Sequence, residues 1–176
     1  MPEKLPDNVT SLLKSTRFVH LATSLNDIPH VTLMNYTYYH KDNIDMIIIT
    51  TPKKSIKYDN MINNANVSLL VHDWMSAKSN DQPKGERRNS LYELLANLNK
   101  NEISRVSVML AGKAELIEPK NELHQFYLSL HQNNSKIDQV QAENYIKCGD
   151  NALFVIKIDS CKVTDTNNKV EEYQGL

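Results

Sequence analysis

Only two cysteines, Cys148 and Cys161, occur in 176 residues, and they form no Cys-x-x-Cys pair. A disulfide framework is therefore not expected, and a reducing compartment is the simpler setting. No apolar run is long enough to cross a bilayer, and the opening stretch Met1-Pro2-Glu3-Lys4-Leu5-Pro6 lacks the apolar segment of a secretory leader, so the expected location is cytoplasmic. An excess of one charge is also missing. The 20 basic and 21 acidic side chains nearly cancel, so no overall field draws this chain to nucleic acid or to an anionic membrane, and any anion site must be local. The six histidines form no His-x-His or His-Glu-x-x-His pattern, and no Ser-His-Asp or Cys-His signature is visible. Neither a catalytic metal nor a nucleophilic hydrolase is expected.

What is present is a succession of short apolar patterns. Leu5, Val9, Leu12 and Leu13 share one face of a helix that Asp7 or Asn8 can cap. Phe18 to Thr23 alternates as a strand before a turn at Asn26-Asp27, Ile28 to Tyr39 reads as a second strand, and Ile44 to Thr51 as a third after Lys41-Asp42-Asn43. Three strands with short turns predict a meander. Ser55 to Asn64 follows as a helix with Ile56, Met61 and Ile62 apolar, then Val67 to Val71 as strand. The polar stretch Ser76 to Arg88 predicts a loop, and Leu91, Leu94, Leu95 and Leu98 a helix. Strand character returns from Val106 to Ile117, helical spacing at Leu123, Phe126, Tyr127 and Leu130, a further helix is expected within Ile137 to Ile146, and Ala152 to Val163 is a last strand. The expectation is one domain over residues 1–164, mainly β with helices: an antiparallel barrel with a helical insertion near 75–102 and a polar, poorly ordered tail over 165–176.

The chemistry concentrates in Thr50-Thr51-Pro52-Lys53-Lys54-Ser55-Ile56-Lys57, where hydroxyls and three lysines lie between a strand end and a helix start. Helix-start N–H groups, hydroxyls and ammonium groups are all donors suited to a phosphate dianion. A solvated turn with Ser55 as an ordinary N-cap fits these residues equally well. Trp74 is expected in an interior or interface position, and Lys84, Arg87 and Arg88 in a solvated loop.

Read together, Thr51, Ser55 and Lys57 followed by Asn63-Asn64-Ala65-Asn66-Val67-Ser68-Leu69-Leu70 resemble the FMN phosphate segment of the pyridoxamine 5'-phosphate oxidase-like split barrels, with Ala65 where proline is common. Pro29-His30-Val31-Thr32-Leu33-Met34-Asn35-Tyr36 is similar to that family's second strand. Arg105-Val106-Ser107-Val108 and Ala111-Gly112-Lys113-Ala114-Glu115 are similar to the strand that reaches the flavin from a partner subunit. The resemblance implies an antiparallel split β-barrel of the FMN-binding type, forming a homodimer with FMN at the interface. It assigns Thr51, Ser55 and Lys57, assisted by Lys54, to the phosphate; Thr32, Leu33, Met34 and Asn35 to the ring; and Arg105 or Ser107 to the second chain.

The same comparison marks departures. Oxidases acting on pyridoxamine phosphate place an arginine where Thr32 is read, and they carry a C-terminal tryptophan and an Arg-x-His segment that residues 165–176 lack. The resemblance thus implies an FMN-dependent oxidoreductase of unidentified substrate, with vitamin-B6 oxidase activity not expected. The alternatives are a non-enzymatic protein that binds FMN or pyridoxal phosphate, and an interaction or structural dimer with an empty site whose lysines merely solubilise a turn.

Overall fold

A computed structural model describes residues 4–74, 105–134 and 150–176. The first amphipathic pattern forms α1 (Asp7–Ser15), which buries Val9, Leu12 and Leu13. Its N-cap position is Pro6, which offers no side-chain cap, and of the two expected capping residues Asn8 accepts from a first-turn N–H, that of Val9, at 2.9 Å. Two hairpins follow, β1 (Phe18–Leu25) with β2 (Ile28–Asn35) and β3 (Thr37–Lys41) with β4 (Ile44–Pro52). Both turn on residue pairs with positive φ, Asn26-Asp27 and Asp42-Asn43, as a type I′ turn requires and as Asn and Asp tolerate best. Then come α2 (Ile56–Asn63), β5 (Asn66–His72), β6 (Val106–Ile117), α3 (His124–Asn134), β7 (Asn151–Asp165) and β8 (Val170–Gln174).

The strands build one antiparallel sheet in the order β2-β1-β5-β6-β7-β4-β3, with β8 on β7. Residues from strands as far apart in this order as β1 and β4 meet in a single core, where Val19, Leu21, Ile49, Leu69, Leu110 and Phe154 pack together, so the sheet curls around its own side chains. A register shift at Ala111/Gly112 bends β6 against β7. A Cβ on Gly112 would lie 2.2 Å from the Lys157 carbonyl oxygen, so only glycine permits this approach. The continuous apolar run of β4 is explained by burial on both faces. Ile47 and Ile49 enter the main core, while Met46 and Ile48 join Ile117, Tyr127, Leu153 and Val155 in a second cluster beneath α3.

The structure corrects four expectations. Ile28 to Tyr39 is two strands: the chain changes pairing partner at Tyr36, whose buried hydroxyl donates to the Leu13 carbonyl at 2.8 Å and lies 2.6 Å from Thr16 Oγ1. The first three strands are consequently no meander, because β2 and β3 occupy opposite ends of the sheet order. In α2, Met61 is buried but Ile56 and Ile62 are exposed; the second inward position belongs to Asn60, whose amide donates to Thr23 Oγ1 at 3.0 Å. Within 165–176, Val170–Gln174 is a strand on β7, supported by a Lys162–Glu172 ion pair. The expected insertion near 75–102, with its loop, its helix and Lys84, Arg87 and Arg88, lies outside the described residues, as do the helix within 137–146 and Cys148.

Candidate functional site

The strand-to-helix corner forms because β4 stays paired with β7 as far as Pro52 and Asn151, after which the Lys53 N–H donates to the Asp150 carbonyl. Ser55 then caps α2, accepting from the Tyr58 N–H at 3.3 Å while its hydroxyl donates to the Pro52 carbonyl at 2.7 Å. That leaves the Thr51 hydroxyl to donate to Ser55 Oγ at 3.0 Å. Thr51 is fully buried, Ser55 half-buried, and Lys53 and Lys54 exposed. Lys57 is half-buried, makes no ion pair with any described residue, and has its pKa pulled below the usual lysine value by desolvation. The acid of the first turn, Asp59, is exposed. A partly desolvated ammonium beside free helix-start N–H groups is stabilised by an anion, and these donors fit a phosphate.

On β2 the strand period separates the four predicted ring residues. Thr32 and Met34 face inward, opposite Leu21 and Val19, whereas Leu33 and Asn35 face outward. Their side chains cannot line one ligand face together. Their backbone can: β2 is an end strand that pairs with β1 alone among the described residues, so alternate N–H and C=O groups point away from the sheet. The inward face of this strand also holds two buried polar atoms without a hydrogen-bond partner among the described residues, Thr32 Oγ1 and His30 Nδ1. Leaving such an atom unpaired costs about 1–3 kcal/mol. A third, His124 Nδ1, stands apart on α3. Sequence reasoning missed His30, because an unpaired ring nitrogen has no signature in one dimension.

The outer face of the sheet is apolar where solvent would favour polar residues. Leu33, His20, Leu70 and Met109 form one cross-strand row over β2, β1, β5 and β6, with Phe18 and Val31 beside it; apart from His20 all of these are exposed. His20 and His72 stack within this surface, their ring centroids 5.9 Å apart. Ser107 lies on the same face, opposite His72, and Arg105 immediately precedes β6. Trp74 is exposed at the end of β5, not interior. Exposed apolar residues gathered on one face in this way are a candidate contact surface.

Two further groups are structural. The Asp45 carboxylate, buried in the β3–β4 hairpin, accepts from the Tyr38 hydroxyl and lies 2.8 Å from His40 Nδ1. Burial pushes the Cys161 thiol up to about 12, which removes it from nucleophilic chemistry at neutral pH. Of the predicted site residues, the structure brings Thr51, Ser55 and Lys57 to one corner, sets Lys54 in solvent beside it, places Thr32 to Asn35 along the β2 edge, and leaves Arg105 and Ser107 at the start of β6, three strands away.

An antiparallel sheet curled on one core, with an open edge strand, defines the split-barrel class. The sequence pattern of the pyridoxamine 5'-phosphate oxidase family matches residues 5–164, and the chain belongs to that family. A Schizosaccharomyces pombe protein described as a pyridoxamine 5'-phosphate oxidase homolog is 31% identical over 179 residues, covering 98% of this chain and 92% of its own. Among solved structures, an FAD-binding protein from Mesorhizobium loti superposes with a TM-score of 0.58 at 16% identity, covering 89% of each chain. A heme binding protein from Mycobacterium smegmatis gives 0.62 at 16% identity, covering 97% of this chain and 59% of that one. At such identities these two structures establish the shared fold.

Proposed function

We propose that this protein is an FMN-binding homodimer of the cytoplasm, an FMN-dependent oxidoreductase whose small-molecule substrate is yet to be identified. The observation that carries this reading is Lys57, a half-buried cation without a carboxylate partner among the described residues, set at a helix start beside the Thr51–Ser55 hydroxyl pair. In it, Ser55 and Lys57 hold the phosphate and exposed Lys54 assists. Buried Thr51 acts through Ser55, fixing its hydroxyl, and the open edge of β2 over Thr32, Leu33, Met34 and Asn35 follows the ring. When bound, FMN supplies the redox chemistry; the chain supplies position and electrostatics. Arg105 and Ser107 sit at β6, three strands or about 14 Å across the sheet from β2. In this reading those two residues come from a second copy, and the apolar row through Leu33, Leu70 and Met109 is the surface that such a copy covers.

Replacing Lys57 with alanine tests the assignment. A charge-assisted contact of roughly 1.5–3 kcal/mol corresponds to a roughly ten- to hundredfold weaker FMN dissociation constant. Flavin fluorescence quenching measures it, with thermal unfolding as the control for folding, and unchanged affinity refutes the phosphate role. A second reading, a non-enzymatic FMN or pyridoxal phosphate binder, is favoured by Thr32, which stands where the oxidases place an arginine. Turnover of the flavin-loaded protein with a reduced nicotinamide cofactor separates the two.

A further inference from the structure

From the two unpaired polar atoms on β2 we infer that His30, together with Thr32, is a cofactor-contacting residue that hydrogen-bonds the carbonyl and imide edge of a flavin ring. The inference rests on the FMN reading above and adds to it a residue that the family resemblance did not assign. Its basis is a mismatch within this chain. Residues two apart on a strand project from the same face, so the His30 and Thr32 side chains stand side by side, separated by about 6.6 Å along β2. Both look inward, His30 opposite buried Thr23 and Thr32 opposite buried Leu21. Thr23 Oγ1 accepts from Asn60 of α2 and makes no hydrogen bond to His30 Nδ1, and Leu21 offers nothing polar. His30 Nδ1 and Thr32 Oγ1 are thus removed from solvent yet receive no partner from any described residue.

Chance placement of one such atom is ordinary, but two in register on an end strand, whose outward backbone groups are also open, form a polar ladder awaiting a polar edge. Asn60 belongs to the same helix that Ser55 caps and whose first turn holds Lys57, and this ladder lies one strand over from β1, against which that helix packs. A ligand with a phosphate at one end and a flat ring bearing carbonyl and imide groups at the other matches both features. The Thr32 hydroxyl donates to a ring carbonyl, and His30 Nδ1 pairs with the neighbouring group in the tautomer that this group selects.

The arrangement predicts opposite signs for stability and binding. Thr32→Val keeps the shape but removes a desolvated hydroxyl, so the flavin-free protein gains thermal stability while FMN affinity falls roughly tenfold. His30→Leu weakens FMN by a similar factor, and His30→Asn, which restores a polar atom near the position of Nδ1, returns affinity to within about threefold of the parent. Titrations with FMN and with riboflavin, which lacks the phosphate, separate the two halves of the site. Thr32→Val and His30→Leu weaken both ligands alike, whereas Lys57→Ala weakens FMN and leaves riboflavin unchanged. If the parent protein binds both flavins and the two β2 variants bind them as tightly as it does, the His30 assignment is overturned while the phosphate corner stands. If the parent protein binds neither flavin, the FMN reading falls and this assignment falls with it.

Discussion

His131 makes the stability of this fold fall in mild acid by an amount that the structure sets. The side chain is buried on α3, with Nδ1 3.0 Å from Thr37 Oγ1, and Asn134 Nδ2 donates to that same hydroxyl at 3.2 Å. With its lone pair taking the Asn134 proton, Thr37 is free to donate to the neutral imidazole, pinning α3 across β3. Desolvation lowers the His131 pKa from 6.5 to about 4. Between these values the unfolded chain holds a proton that the folded chain does not, so stability is fully present above pH 6.5 and is lost as pH falls toward 4. The full shift amounts to about 3 kcal/mol, roughly half of it gone by pH 5.5 and most of it by pH 4.5. Urea unfolding across this range at fixed protein concentration, for the parent and for His131→Gln, isolates the effect, since carboxylate titrations cancel in the difference. The parent is expected to lose its advantage over the variant along this curve. Parallel pH profiles for the two proteins would refute the argument that the imidazole is held neutral by burial.

Other consequences follow from single contacts. Tyr36→Phe removes the hydroxyl that joins α1 to the β2–β3 break and leaves the Leu13 carbonyl short of a partner, which should cost about 1–3 kcal/mol in urea unfolding; a variant as stable as the parent would mean the break is fixed elsewhere. Gly112→Ala drives a methyl group into the Lys157 backbone at the β6 bulge, and a loss of roughly 2–4 kcal/mol or failure to fold is expected, against which a parent-like unfolding midpoint would count.

The strands were readable wherever alternation or a β-branched run marked them: Val106–Ile117 matches its expected bounds, and Asn26-Asp27 and Asp42-Asn43 both turn where Asn and Asp announce a turn. Legibility failed where tertiary contacts overrode local pattern. The run from Ile28 to Tyr39 offers only Asn35 as a weak signal at the break, and the burial of Tyr36 against α1, which divides it, is not written in the local pattern. Val170–Gln174 reads as a polar tail because Tyr173 alone of this end strand packs on the core, too little to write an apolar alternation into the sequence. Its order comes from the β7 ladder, which a single segment does not display. The phosphate corner was legible as chemistry, since hydroxyls and lysines cluster in sequence, but the burial of Thr51 was not. Nor was the separation of Thr32 and Met34 from Leu33 and Asn35, although the strand period dictates it once β2 is placed at the end of the sheet.

Titrating the purified apoprotein with FMN while its mass in solution is followed shows whether a flavin is held by the Ser55–Lys57 corner and completed by a second copy. Saturable quenching at one FMN per chain, in a particle of two chains, is the predicted result. A protein that leaves FMN fluorescence unquenched, or that binds it fully as a monomer, contradicts the account.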